Sequence, residues 1–449
     1  MEVSTKVAYR IYKLPTATKA IAFNTATEHY MFLDGLSAEL LELVIRDNEA
    51  QIQQWMVDNE VSLEDINTFN SQIKGFGFWD TEDGNQENIA NAVDVSNADT
   101  TEHEHSLNLF QNFLHSNGLF YLFHIDLTNR CNEKCIHCYH PFEQYDHSNE
   151  MTFVEVKTLI DTIYDLGVFC VTLSGGECLL RKDFWDILSY ISSKGMMTTV
   201  FTNGLLLTEE NVRKLTKYRV KLVSISLYGD TAEVHDRITT IPGSYQKTLA
   251  GIERLKAHKI PFELKCVVLA ENIARIEQIR TQANELTNGR DCKTDFSLCG
   301  KLDGNCGNFS HRASMEEIKK VFFSNPERYF SPSKFQPKQP NETPCGAGKY
   351  GLYCSAEGNI YPCVSFRLLL CSHRELSNIA TNSILTQWRN TKISDFTDCF
   401  RHSYCKYCTE QCAGNNLIEN GNHLDSRNIS NCERAMIISE WFEAHSDHN

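Results

Sequence analysis

Short apolar runs alternate with amphipathic stretches through the middle of the chain. Runs at 121–127, 171–174, 198–202, 221–227, 262–269 and 295–299 read as strands. Between the first two, Phe153, Val156, Leu159, Ile160, Ile163 and Leu166 recur at three- and four-residue spacings, which puts them on one helix face. Six strands separated by helices of crossover length predict parallel βαβ units, an α/β sheet buried on both faces. Upstream, residues 6–12 and 20–24 read as strands. Helical periodicity starts near Ser37, with Leu40, Leu41, Val44 and Ile45 on one face, and a second helix is expected over 63–76. These patterns divide the chain into a small domain at 1–80, a polar linker at 81–117, the α/β unit at 118–310, a bridging segment at 311–344 and a region at 345–449 where periodicity fades.

Composition sharpens this picture. A chain of 449 residues with 41% hydrophobic residues can bury the cores of two or three globular domains. A net charge of −15 argues against nucleic acid as a partner, because phosphate binding needs a basic surface. No 18-residue apolar run occurs and no apolar segment follows a basic start, so no membrane partner and a cytoplasmic location are expected. In that reducing compartment the 18 Cys are expected to bind metal or do redox chemistry rather than form disulfides.

Directly after the first strand of the α/β unit, Cys131, Cys135 and Cys138 form C-x3-C-x2-C. Three thiolates on one loop can hold three irons of a 4Fe–4S cube and leave the fourth open to a small molecule. A zinc site completed by His137 or His140 is the alternative. The second strand ends in Ser174-Gly175-Gly176-Glu177, where two Gly permit close backbone approach and Glu177 offers a carboxylate to an ammonium group. Thr202-Asn203-Gly204 closes the third strand, Ser226 lies on the fourth, and His235-Asp236-Arg237 follows.

Together these motifs resemble the radical S-adenosylmethionine (SAM) superfamily, over roughly 120–300. The resemblance implies a partial (β/α)6 TIM-like barrel with its chemistry at the carboxyl ends of the strands. It implies a 4Fe–4S cluster on Cys131, Cys135 and Cys138, and SAM held by Gly175, Gly176, Glu177, Asn203, Ser226 and Arg237. Electron transfer to bound SAM would then yield a 5′-deoxyadenosyl radical that takes hydrogen from substrate. His137 stands where the family usually has an aromatic residue.

Nine Cys follow from Cys345. Cys345 and Cys363 frame C-x12-G-x4-C, and Cys405, Cys408, Cys412 and Cys432 come later, an arrangement that resembles the SPASM extension with its two auxiliary 4Fe–4S clusters. The outer cluster is expected on Cys405, Cys408, Cys412 and Cys432, and the inner on Cys345, Cys354 and Cys363, with its fourth position open or filled by Cys371 or Cys399. The family's longer Cys string is abbreviated here, and Asn416 stands in place of one Cys. Cys178, Cys292, Cys299 and Cys306 have no assigned ligand role; Cys299, expected at the barrel mouth, is the candidate donor of a hydrogen atom to a substrate radical.

The first 80 residues resemble a winged-helix-like precursor-recognition domain, on the strength of the two strands, Asn24-Thr25-Ala26-Thr27 and the helix entry from Phe32 to Ser37. Such domains take a leader peptide as an added strand. The whole chain therefore resembles maturases of ribosomally made peptides, which abstract hydrogen from a precursor-peptide residue and form a thioether or other side-chain crosslink, with a small redox protein or reductant supplying electrons. Peptide epimerisation and oxidation of a protein Ser or Cys are the rival chemistries. A metal-stabilised peptide-binding protein without catalysis is the contrasting class.

Overall fold

A computed structural model describes residues 7–13, 18–24, 30–45, 49–75, 119–140, 147–218, 220–301, 303–330, 339–396, 399, 401–408, 412–425 and 429–445. The linker expected at 81–117 lies outside the described residues.

The N-terminal unit has three strands, β1 (Val7–Lys13), β2 (Thr18–Asn24) and β3 (Tyr30–Asp34), in an antiparallel sheet with β2 central. Three helices follow: α1 (Gly35–Ile45), α2 (Glu49–Asp58) and α3 (Leu63–Gly75). Ala20, Ala22, Leu33, Ala38, Leu40, Leu41, Val44, Ile66 and Phe69 make its separate core. The third strand occupies residues expected to lead into a helix. Gly35, at φ +52°, makes the abrupt change from strand to helix.

The main sheet contains β4 (Leu122–Asp126), β5 (Cys170–Ser174), β6 (Met197–Thr202), β7 (Val220–Ser226), β8 (Phe262–Val267) and β9 (Lys293–Asp295), all parallel and in chain order. The helices between them are α4 (Phe153–Asp165), α5 (Phe184–Ser193), α6 (Glu209–Leu215), α7 (Ala232–Thr239), α8 (Ser244–Ala257) and α9 (Ile276–Thr287). All six expected strands are present. The last is displaced: it ends at Asp295, so Cys299 stands beyond the sheet.

Strand alternation splits the two faces. Phe123, Ile125, Val171, Leu173, Val200, Val223, Ile225 and Leu264 are fully buried against the helices. The opposite face is polar. His124 sits between the rings of Tyr353 and Phe201, Lys265 lies 3.9 Å over Phe201, and Ser224 donates to Glu263 at 3.0 Å. Both faces are covered, but only one is an apolar core.

Beyond the barrel come α10 (Met315–Ser324) and α11 (Pro326–Tyr329). The Cys-rich region then returns to the same sheet: β10 (Gly351–Cys354) pairs parallel to β4, and β11 (Asn359–Tyr361) and β12 (Cys371–Ser372) continue antiparallel. Leu352, Tyr353 and Cys354 are buried there, so the start of this region is barrel wall as well as cysteine scaffold. Its remaining helices are α12 (Ser383–Asn390), α13 (Ala413–Asn420) and α14 (Ile429–Ala444). No helix among the described residues is long and apolar enough to cross a membrane.

Candidate metal and cofactor centre

The loop after β4 carries Cys131, Cys135 and Cys138, and neighbouring backbone shapes it. Lys134 and Ile136 donate their N–H groups to Thr239 and Ile238 at the end of α7, at 3.2 and 3.0 Å. The Glu133 N–H points at the Cys131 sulfur from 3.4 Å. Burial pushes the thiols of Cys131 and Cys138 up to about 12 and that of Cys135 well above its ordinary value. Buried thiols with this penalty ionise when a cation binds them. No three His, Cys, Asp or Glu side chains among the described residues converge as ligands of a single ion. A cube seats each thiolate on its own iron, so the three-thiol loop and its N–H donor fit an iron–sulfur group.

Gly175 and Gly176 follow β5. A Cβ at Gly175 would stand 2.2 Å from the Thr128 carbonyl oxygen, and one at Gly176 would stand 2.4 Å from that of Arg130. Gly176 and Glu177 donate to those same carbonyls, both at 2.8 Å. The close approach expected toward a ligand is thus made, in this structure, toward the entry of the Cys loop. Glu177 is fully buried. It accepts from the Thr202 hydroxyl at 2.9 Å and from the N–H groups of Asn203 at 2.9 Å and Leu179 at 3.1 Å. Burial raises its pKa despite those donors, a setting that an incoming ammonium would relieve.

Asn203 joins the two motifs. Its Nδ2 donates to Asn132 Oδ1 at 2.7 Å and lies 3.9 Å from the Cys131 sulfur. Ser226 ends β7. Arg237, on α7, is exposed and donates to the Glu271 carbonyl at 3.2 Å, so its guanidinium faces the loop after β8. Its neighbours are structural: Asp236 accepts from Gly243, Ser244 and Tyr245 at the start of α8, and His235 Nδ1 accepts from the Tyr228 N–H at 3.2 Å.

Asp126, His124, Tyr353 and Arg367 were not singled out by the sequence reading. The Tyr353 hydroxyl donates to buried Asp126, and Arg367 Nη2 donates to the Tyr353 oxygen at 3.0 Å. Burial opposes the Asp126 charge, yet His124, His140 and Tyr353 keep its pKa below the ordinary value. Polar residues at alternate positions in Phe123-His124-Ile125-Asp126 were the available signal.

Cys354 stands in β10, opposite Ile360 of β11, and joins the main core, so the strand carries it away from Cys363, which lies beyond the end of β11. Cys412 was expected in the outer group. The turn after it rests on the turn after Cys363, with a Cβ at Gly414 placed 2.4 Å from the Ser365 carbonyl oxygen, and the Cys363 thiol is within electrostatic range of Cys412 and Cys345. The Cys432 thiol on α14 is within electrostatic range of Cys408 and Cys405. Cys371, at the sheet edge, pairs with Ile360, as Cys354 does from the other side, whereas Cys399, Cys345 and Cys363 each border the cluster of Phe366, Trp388 and Phe396.

A parallel sheet with a three-thiol loop after its first strand and a Gly-Gly-Glu turn after its second defines a class. Residues 125–283 match the sequence model of the radical SAM superfamily, and the chain carries a radical SAM domain. Enzymes of this superfamily use a 4Fe–4S cluster and SAM.

More particular likenesses follow. The chain is 37% identical over 161 residues to an AdoMet-dependent heme synthase of Methanosarcina barkeri, across 36% of this chain and 46% of that protein. It is 28% identical to the antilisterial bacteriocin subtilosin biosynthesis protein AlbA of Bacillus subtilis, across 54% of each. Among solved structures, SuiB of Streptococcus suis bound to S-adenosylmethionine aligns over 96% of this chain and all of that one, at a TM-score of 0.60 and 15% identity, a likeness of fold. The chain thus spans less than half the length of the heme synthase that it matches.

Proposed function

We propose that this enzyme matures a ribosomally synthesised peptide, abstracting hydrogen from a precursor residue and forming a thioether or other side-chain crosslink. The observation that carries the reading is the combination, in one chain, of the three-thiol loop, two further thiol groups and a separate N-terminal sheet-and-helix unit. The likeness to the bacteriocin protein extends over more of the chain than that to the heme synthase, which favours a peptide over a tetrapyrrole. SuiB, which shares the fold, has been solved with a precursor peptide.

In this reading Cys131, Cys135 and Cys138 hold the cluster and Gly175, Gly176, Glu177, Asn203, Ser226 and Arg237 line the SAM position. The cluster and SAM supply the hydrogen-abstracting radical when bound. The protein supplies the rest: Glu177 offers the carboxylate that orients an ammonium, and Asn203 ties that turn to the Cys loop. The polar wall of His124, Asp126, Tyr353 and Arg367 accommodates a polar substrate. A leader peptide would add to the N-terminal sheet, in which β1 and β3 each pair only with β2 among the described residues. Auxiliary clusters on the C-terminal thiols would accept electrons, and a small redox protein or other reductant would supply them, in the cytoplasm.

Anaerobic incubation with the peptide encoded beside the gene, followed by mass spectrometry, tests this. Loss of two hydrogens is the expected result. An unchanged mass with altered stereochemistry would point to epimerisation, and peptide returned unmodified while a porphyrin substrate is converted would overturn the reading.

A further inference from the structure

The fourth position of the inner thiol group has a candidate outside the Cys-rich region. We propose that Cys299 fills it, completing a set with Cys345, Cys363 and Cys412. This rests on the auxiliary-cluster reading above and assigns its ligands.

Two turns lie back to back at the inner group, and each aims a backbone N–H at its own sulfur. Phe366 donates to Cys363 Sγ at 3.3 Å and Asn415 donates to Cys412 Sγ at 3.4 Å. The Glu133 N–H treats Cys131 in the same way, from 3.4 Å. Such donors stabilise thiolates, so the inner turns repeat a feature of the SAM-cluster loop.

The segment carrying Cys299 is fastened to the helix that Cys412 caps. Arg312 Nη2 donates to the Leu298 carbonyl at 3.0 Å and also pairs with Glu419 of α13. Gly300 lies against Ile418 of the same helix, where a Cβ would stand only 2.6 Å from the Ile418 methyl carbon. From the other side, buried Asn308 donates to the Cys299 carbonyl at 2.8 Å and to the His137 carbonyl at 3.2 Å, tying the segment to the SAM-cluster loop. Held so, the Cys299 thiol is within hydrogen-bonding reach of Ser365, the residue on which the turn after Cys412 rests.

Counting supports the assignment. Two cubes held entirely by protein need eight thiolates. Cys354 and Cys371 are carried away by β10 and β12, which leaves seven of the nine C-terminal Cys: Cys345, Cys363, Cys399, Cys405, Cys408, Cys412 and Cys432. Cys299 is the eighth. Cys399 borders the same apolar cluster as Cys345 and Cys363 but lies six positions before Cys405, and on this count it is left for the outer set with Cys405, Cys408 and Cys432. A consequence concerns chemistry: an inner iron already bound by Cys299 has no free position for a substrate thiolate.

The test uses the full chain, reconstituted anaerobically, reduced and saturated with SAM so that the open iron at the Cys131 loop is covered. Carbon-13 cyanide is the probe for any other open iron, read by electron–nuclear double resonance. The wild type should show no cyanide coupling, while Cys299→Ala should gain it at an inner cluster with iron content preserved. Cys299→Ser keeps an oxygen ligand, and should shift the cluster's g values without admitting cyanide, which separates ligation from a folding defect. Cyanide bound by the wild type would overturn the assignment, as would a Cys299→Ala protein that keeps its full iron and wild-type spectrum. If Cys399→Ala rather than Cys299→Ala opened the inner cluster, the two ligands would be exchanged and the proposal lost. Wild-type protein that assembles only the Cys131-loop cluster would instead remove the auxiliary-cluster reading itself.

Discussion

Strands β5 to β8 bury Val171, Leu173, Val200, Val223, Ile225 and Leu264 completely beneath their helices. By contrast, Cys405 and Cys408 lie in and beside a 3-10 turn at Ser403–Tyr407 that buries none of its residues. The first arrangement is stabilised by apolar area removed from water, about 25 cal/mol per Å². The second has less such area, although Tyr407 stacks on Phe442 with ring centres 5.2 Å apart, and in the proposed reading crosslinks through the thiols supply the rest of its order. In that proposed reading the barrel is a scaffold that cofactors occupy, and the outer Cys segment is one that cofactors complete.

Iron removal should separate the two most sharply. Chelation under reducing conditions is expected to raise amide exchange across 401–408 by about tenfold or more while β4 to β8 keep their protection. Equal loss in both regions, read by hydrogen-exchange mass spectrometry, would erase the distinction. Next in size is Gly176→Ala. Its Cβ would meet the Arg130 carbonyl oxygen at 2.4 Å, and backbone cannot yield as a side-chain tip can. A loss of about 1–3 kcal/mol in urea unfolding is expected, together with weakened SAM binding. A smaller effect belongs to the capping box of α4, in which Thr152 accepts from Glu155 N–H and Glu155 caps Thr152 in return. Thr152→Ala should cost about 1 kcal/mol and leave the iron content unchanged.

The smallest effect lies where the two regions meet. The Thr152 N–H and the Arg374 guanidinium of the C-terminal region hold the Glu155 carboxyl down to about 2. A depressed carboxyl contributes stability that is present above its unfolded pKa, about 4.3, and lost as pH falls toward the folded value. Stability should therefore decline slightly more between pH 4.5 and pH 2 in the wild type than in Glu155→Gln, the pH values being approximate limits set by those two pKa values. Because the pair is exposed, a difference too small to measure in salt is consistent with screening, whereas a larger decline in Glu155→Gln contradicts the assignment.

The barrel strands were legible as short apolar runs set between amphipathic stretches, and in β4, β7 and β8 apolar positions also alternate. The exception has a local cause: Phe296 and Leu298 continue that alternation past Asp295, but the ladder with β8 stops there. The Cys loop and the Gly-Gly-Glu turn were legible as motifs, although the need for glycine against Thr128 and Arg130 appeared only once two loops came together. The ligand groups were least legible. Spacing along the chain places Cys412 with Cys408, yet Cys412 caps α13, and the turn after it rests on Ser365. Cys354 matched a spacing but belongs to a strand, because Gly351-Leu352-Tyr353-Cys354 finds a partner in β4 more than two hundred residues upstream.

The Cys131, Cys135 and Cys138 loop is the proposed seat of SAM chemistry. The direct measurement is 5′-deoxyadenosine released when anaerobically reconstituted protein is given SAM and dithionite. Wild-type protein should release it, and Cys131→Ala should reduce it to background. Iron-loaded wild-type protein that releases none, or a Cys131→Ala variant as active as wild type, would contradict the account.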